Sequence, residues 1–332
     1  MAEIHILNCG EGDCHIIKHN SGHITVIDIC NGNLEKVDES RGIVALEKMA
    51  AKGNFGMCKH PTNPVDFLKD KLNARSVFRF ILTHPDMDHM DGIDNLMRTV
   101  PATNFWDSGV RKEKPDFSDR NNRFKEEDWG RYENIISGNE DITVISPLAG
   151  SRNHFFNRGE DGEGGGDGLW ICSPNAQQIS DANDSGSAEA INDASYVVTY
   201  RTAGCKIVFS GDSHDKAWES ILEGYKDAVE DATVLLAPHH GRKSNRSWDF
   251  LDVVKPKYSV FGCAPSEHLA YAPWNNRGLE IITKNQTGNI AMYPHDTGIK
   301  VYVENDSYAQ RAGGNVAIQD SYGNYFLKDV SN

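Results

Sequence analysis

No stretch of the 332 residues stays apolar for the roughly 18 positions that a membrane-crossing helix needs, so no membrane span is predicted. No CxxC pair occurs among the seven cysteines, which stand at 9, 14, 30, 58, 172, 205 and 263. A scattered, odd-numbered set argues against a disulfide framework and predicts buried, reduced thiols. The phosphate-cradling pattern GxxxxGK[ST] is missing, and so is a serine nucleophile elbow. Basic residues are few beside acids: 34 Lys and Arg against 48 Asp and Glu, a net charge of −14. That balance opposes non-specific adherence to nucleic acid, so a nucleic-acid substrate needs a local basic strip. The opening MAEIHILNCGEGD reads as a first strand and not as a basic, apolar secretion signal, which predicts a cytoplasmic protein. No internal repeat of 20–50 residues is visible.

What the sequence does have is a set of apolar strands that end in metal-competent residues. Phe80-Ile81-Leu82 runs into Thr83, and His84, Asp86, Asp88 and His89 follow within six residues. Alternate residues of an extended tip point the same way, so His84, Asp86 and Asp88 can converge on one space. His89 then enters from the other side as the chain turns before Gly92. Unpaired carboxylates packed so closely are too costly for a dry interior without a cation. Two more strands end alike: Lys206 to Phe209 in Ser210-Gly211-Asp212, and Val234 to Ala237 in Pro238-His239-His240-Gly241. In open α/β sheets, ligands gather at the carboxyl ends of strands.

The rest of the chain supplies the frame. Early strands are expected at Ile4–Leu7, Cys14–Lys18 and His23–Asp28, around a glycine-marked turn at residues 8–14. Asp13 and Asp28 are read as structural turn and cap carboxylates. Residues 112–131 carry many charges and no regular apolar period, and read as an exposed excursion. Residues 181–189 read as a polar linker, 248–253 and 278–284 as helices, and 290–303 as a closing hairpin. One domain over residues 1–305 is expected, with insertions at about 33–64 and 107–168, then a polar C-terminal extension over 306–332.

These residues resemble the metallo-β-lactamase fold superfamily over roughly positions 3–304. Within it they look most like the ComEC-type branch, named for the C-terminal domain of the competence DNA-uptake protein. The matching stretches are ILNCGEGDC, ITVIDICNG, THPDMDHMDG, NDASYVV, IVFSGD and LLAPHHG, in that order. The resemblance implies an α/β, four-layer αββα fold with two mixed β-sheets sandwiched between helices. The superfamily's usual HxHxDH loop here reads His84-x-Asp86-x-Asp88-His89, with Asp in place of the second His, as in the ComEC-like branch. The resemblance implies one ion site from His84, Asp86 and a residue before Ser195, where Asn192 stands. It implies a second from Asp88, His89 and a His of the doublet, with Asp212 bridging. An amide oxygen is a poor zinc ligand, which points to a weak first site or a harder ion such as Mn²⁺. Whether His239 or His240 is the ligand stays open. His268 stands near the place of a late His found in relatives, at a different offset.

One or two divalent ions, Zn or Mn, are therefore expected, and such ions lower the pKa of a shared water toward neutrality. Asp88, Asp212 and His268 are the expected catalytic residues. Arg242, Lys243 and Arg246, directly after the doublet, are the expected substrate-binding cations. The first reading is a phosphodiesterase or nuclease acting on nucleic acid or nucleotides. A hydrolase of a small ester, lactone or lactam is the alternative, and a non-catalytic, metal-stabilised binding module the third.

Overall fold

The structure, a computed structural model, describes residues 1–34, 61–151 and 166–331. Most of the first expected insertion and part of the second lie outside the described residues. Sixteen strands form two sheets among the described residues. The first strands are β1 (Glu3–Ile6), β2 (His15–Lys18), β3 (Ile24–Ile27), β4 (Val77–Ile81), β5 (Ala102–Trp106) and β6 (Thr143–Ile145). Next come β7 (Leu169–Ser173), β8 (Val197–Thr202), β9 (Cys205–Phe209), β10 (Val234–Leu236), β11 (Tyr258–Phe261) and β12 (Ile281–Thr283). The last are β13 (Ile290–His295), β14 (Gly298–Val303), β15 (Asn315–Gln319) and β16 (Tyr325–Ser331). One sheet runs β15-β16-β14-β13-β1-β2-β3-β4-β5-β6, the other β12-β11-β10-β9-β8-β7. Both are mixed: β3 to β6 and β9 to β12 pair in parallel, and the remaining neighbours are antiparallel.

The side-chain alternation of the strands builds the layers. Ile27 and Ile81 point into the space between the sheets, against Ile207, Phe209, Val234 and Val260 of the opposite sheet. Their neighbours Val26 and Phe80 point outward and pack with Leu96, Trp129, Tyr132 and Ile135 from helices. On the other side Val208 and Leu235 point outward onto Trp218, Ile221, Leu251 and Trp274. Strands covered on both faces read as continuous apolar runs, which is why FIL, IVF and VLL show no polar alternation. The architecture is helices, sheet, sheet, helices: the four-layer α/β arrangement that the resemblance implies.

Several elements differ from expectation. The charged stretch 112–131 runs into a helix, Glu126–Ile136, which buries Trp129, Tyr132 and Ile135. Three acids in its first turn favour the N-terminal end of the helix dipole and hide the apolar spacing at 129, 132 and 135. The expected linker at 181–189 lies across two helices, Ala176–Ser185 and Ala188–Asp193. The helix expected over 278–284 is strand β12 followed by a short helix, Lys284–Thr287. Three β-branched residues in a row, Ile281-Ile282-Thr283, suit an edge strand better than a helix. Trp248 has positive φ, and the helix expected from it begins at Leu251. After residue 305, β16 pairs with β14 and extends the first sheet. The six cysteines of the described residues are buried and form no disulfide. No helix among these residues is long and apolar enough to cross a membrane.

A buried polar group sits under the β2–β3 hairpin. Arg79, 1% exposed, donates to Asp167 at 2.7 Å and to Thr25 Oγ1 at 2.8 Å. His19 Nε2 lies 2.7 Å from the same hydroxyl. Burial, with Arg79 beside it, outweighs Asp167 and holds the His19 imidazole down at about 3. In the unfolded chain an ordinary imidazole protonates below about 6.5. The stability that neutral His19 confers is therefore full above about pH 6.5 and is lost as pH falls toward 3. Urea melts of wild type and His19→Gln should show wild type losing stability relative to the variant between pH 7 and pH 4. A difference that stays constant over that range would show that His19 is not held neutral.

Candidate metal centre

The tips of β3, β4, β9 and β10 meet at one edge of the two sheets. β3 and β4 are parallel neighbours, and Asp28 N donates to Ile81 O at 2.9 Å, so Asp28 and Thr83 end at the same level. β9 and β10 are parallel neighbours in the other sheet, which sets Asp212 beside the 238–241 turn. Tyr196 N donates to Thr83 O at 3.0 Å and joins the two edges. His239 N donates to Gly211 O at 3.0 Å.

Asp212 is the centre of the cluster and is 4% exposed. Its Oδ1 lies 3.4 Å from His89 Nε2 and 3.8 Å from His240 Nε2. Its Oδ2 lies 3.7 Å from His239 Nε2 and 4.0 Å from His84 Nε2. The other carboxylates complete two sides. Asp88 Oδ2 is 3.5 Å from His240 Nε2 and 3.9 Å from His89 Nε2, while Asp86 Oδ2 is 3.8 Å from His84 Nε2. Donors around one tetrahedral ion with bonds of about 2.1 Å stand roughly 3.4 Å apart. The observed spacings need only a small contraction. His84, His89 and Asp212 form one group with metal-ligand spacing, and Asp88, His89 and His240 another.

Three imidazoles are fixed with Nε2 toward this space. Asp28 Oδ2 accepts from His89 Nδ1 at 2.8 Å, and Asp13 Oδ2 accepts from His240 Nδ1 at 2.8 Å. The Thr83 hydroxyl donates to Asp28 Oδ2 at 2.7 Å, which leaves its lone pairs for His84 Nδ1–H at 3.1 Å. Each outer bond sets the tautomer that leaves Nε2 with a lone pair. Yet His84 Nε2, His89 Nε2, His240 Nε2 and Asp212 Oδ1 are buried with no hydrogen-bond partner among the described residues. Groups so buried are normally paired. Four orphaned atoms converging on one space fit a cation.

The electrostatics agree. Burial alone would lower His89 and His240. The carboxylates of Asp212, Asp28 and Asp88 raise His89 well above its usual range, and Asp13 with Asp212 pushes His240 up to about 10. The pocket calls for positive charge, as protons or as metal. Burial keeps His84 and His239 low, the latter at about 4, so both present lone pairs at neutral pH. Asp212 and Asp13 are buried, but the imidazoles, and Lys284 beside Asp13, hold both well below the carboxylate range. Lys284 is 1% exposed and donates to Asp13 Oδ1 at 2.7 Å.

Two glycines make the close approach possible. A Cβ on Gly12 would meet the Asp88 carbonyl at 2.1 Å. Gly241 has φ of +76°, and a Cβ there would meet the Phe261 ring at 2.6 Å. The GEGD turn and the HHG turn therefore press backbone against neighbours where no side chain fits.

The other expected residues lie differently. The doublet splits: His240 is buried beside Asp88 and His89, and His239 is partly exposed on the opposite oxygen of Asp212. Asn192 is half-buried in the Ala188–Asp193 helix, its side chain in no hydrogen bond with the site ligands. His268 is exposed in a short turn; its carbonyl accepts from Lys243 N at 2.6 Å, and its imidazole makes no hydrogen bond or ion pair with described residues. Arg246 is buried, donates to the Ser213 carbonyl at 2.5 Å and lies 5.1 Å over the Trp248 ring. It braces the turn that carries Asp212. Lys243 is exposed and Arg242 half-buried. Lys112, from the charged excursion, donates to Asp86 Oδ1 at 2.6 Å.

Sequence reasoning missed Asp13, Asp28 and Lys284 as parts of the site. For Asp28 a signal existed: ITVI ends at a metal-competent residue, as the other three tips do.

No protein-family model matches the sequence, and no curated protein matches it significantly. Solved structures align with it at low identity. A metallo hydrolase, Igni18, from the hyperthermophilic archaeon Ignicoccus hospitalis aligns at 13% identity over 88% of this chain and 99% of its own, with a TM-score of 0.47. A diphosphatase from the PhnP family aligns at 11% identity over 88% of this chain and 98% of its own, TM-score 0.38. CmlA, a diiron β-hydroxylase from Streptomyces venezuelae, aligns at 9% identity over 77% of this chain and 44% of its own, TM-score 0.39.

Asp28 can be tested alone. Asp28→Asn keeps a residue that tolerates its φ of +57° but removes the charged acceptor for His89 and Thr83. Zinc affinity, read by competition with a chromogenic chelator, should fall about 10–100-fold. Unchanged affinity would show that Asp28 does not orient a ligand.

Proposed function

We propose that this protein is a metal-dependent hydrolase of the metallo-β-lactamase superfamily, closest in type to the ComEC branch, with a phosphodiester as substrate. The reading rests on one observation. The two oxygens of Asp212 face two sets of imidazoles whose Nε2 atoms point inward, three of them buried without a hydrogen-bond partner. His84, Asp86, His239 and Asp212 Oδ2 would hold one ion. Asp88, His89, His240 and Asp212 Oδ1 would hold the other. His239 takes the place for which the sequence offered Asn192. With imidazole in that place the first site no longer depends on an amide, and Zn²⁺ fits as well as Mn²⁺.

Divalent ions there would supply Lewis acidity and bring the pKa of water near neutrality. The chain's own residues do the rest. Asp28, Asp13 and the Thr83 hydroxyl lock the imidazoles in one tautomer. Asp88, the more exposed carboxylate of the second set, stays ionised beside His89 and His240 and can accept a hydrogen bond that orients a water. Arg242 is half-buried, and the exposed Lys243 side chain makes no hydrogen bond or ion pair among the described residues. Lys112 adds a cation beside Asp86. Cations next to the ligand-bearing turns suit an anionic phosphodiester. The acidic chain as a whole favours a nucleotide or short single strand over long duplex.

Bis-p-nitrophenyl phosphate, single-stranded DNA and a chromogenic lactam, each with Mn²⁺ or Zn²⁺, separate the phosphodiester reading from the small-ester or lactam one. Turnover of the first two and not the third is expected. Asp212→Ala should lose at least about 1,000-fold in kcat, because both ion sites lose an oxygen together, while far-UV circular dichroism stays native. Wild-type turnover in that variant would remove the bridging role, and lactam cleavage alone would remove the phosphodiester assignment.

A further inference from the structure

A second cluster of metal-ligating groups lies outside this centre, between the Ala188–Asp193 helix and the start of the Asp215–Gly224 helix. Glu189, Asp193 and His214 each offer one donor atom there, all within 4.8 Å of one another. His214 Nδ1 is 3.9 Å from Glu189 Oε1. Asp193 is 3% exposed and His214 8%.

The fold accounts for part of this arrangement and leaves a remainder. Asp193 Oδ1 accepts from Ala217 N at 3.0 Å, so it caps the 215–224 helix from across the interface. His214 stands at the N-cap position without a side-chain capping bond. Capping uses one oxygen only. Asp193 Oδ2 and His214 Nδ1 are both buried with no hydrogen-bond partner among the described residues. Burial raises the Asp193 carboxyl, with His214 working against it. Asp215 Oδ2 lies 3.8 Å from the same His214 Nδ1, beyond hydrogen-bond distance, and both Asp215 oxygens accept from Ser247 N, at 3.1 and 3.2 Å. A buried carboxylate oxygen and a buried imidazole nitrogen, both without partners and on residues whose donors cluster within 4.8 Å, are costly as they stand. A cation between them answers both.

We propose that Glu189, Asp193 and His214 bind a divalent transition-metal ion, zinc by preference, as a site separate from the Asp212 centre. One imidazole and two carboxylates with one water make a tetrahedral set of the kind zinc accepts, whereas magnesium and calcium favour oxygen donors alone. Asp193 is fixed by its bond to Ala217. Glu189, whose side chain is 69% exposed, is free to swing the remaining distance. The site ties the 188–193 helix to the turn 210–214, which carries Asp212 two residues before His214. Its ion is a positioning device for that turn and takes no part in attack on substrate.

The test is zinc content and affinity of the whole chain, by elemental analysis and chelator competition. Asp193→Asn, which keeps the capping oxygen, and His214→Gln should each hold one zinc fewer per chain than wild type. Glu189→Gln, on an exposed side chain, should bind that ion at least about tenfold more weakly, with no change in the far-UV spectrum. Asp212→Ala should lose ions from the main centre and keep this one, so the two assignments fail independently. Equal zinc content in wild type, Asp193→Asn and His214→Gln overturns the proposal, as does unchanged affinity in Glu189→Gln if the other two do not fold.

Discussion

The structure turns on one buried carboxylate. An isolated ionised Asp212 would cost several kcal/mol in this position. Four imidazoles, two against each oxygen, make its burial tolerable. They come from two loops of different sheets, so the carboxylate can keep its environment only while both sheets keep their facing. The apolar layer between them, from Ile27 and Ile81 across to Ile207 and Phe209, holds that facing. Packing and electrostatics therefore serve a single geometric requirement.

Behind the imidazoles stands a ring of further charge. Asp28 steadies His89, Asp13 steadies His240, and Lys284 balances Asp13 from within the protein. The order is cation space, imidazole, carboxylate, ammonium, each opposite in charge or polarity to the last. Such chains polarise one another in a low dielectric. They also remove rotational freedom from the inner donors, so little ordering remains to be done when a ligand arrives.

Much of this was legible in the sequence. FIL, IVF and VLL each stop at an acid or imidazole, and a run covered on both faces must expose its end to do chemistry. The roles of Asp13 and Asp28 were not legible, because an acid in a turn looks the same whether it caps a strand or holds a histidine 61 or 227 residues away. The split of the doublet depends on backbone angles that no pattern encodes. The 126–136 helix was hidden because Glu126, Glu127 and Asp128 mask the apolar residues behind them. Strand β12 was missed because Gly278 and Lys284, which bracket the stretch, punctuate helices as often as strands.

The doublet carries one more implication. His239 (φ 53°, ψ 47°) and His240 (φ 58°, ψ 13°) are consecutive left-handed residues without glycine's freedom. Each such residue costs on the order of 1–2 kcal/mol. His, Asn and Asp enter this region more readily than most side chains. Donor chemistry by itself would admit cysteine or glutamate at both positions, but the backbone taxes them. Drift in this turn is thus channelled toward a short set of replacements, with aspartate the most accessible donor, and each such exchange would put an anion where an imidazole stands and so alter the charge of the space it faces.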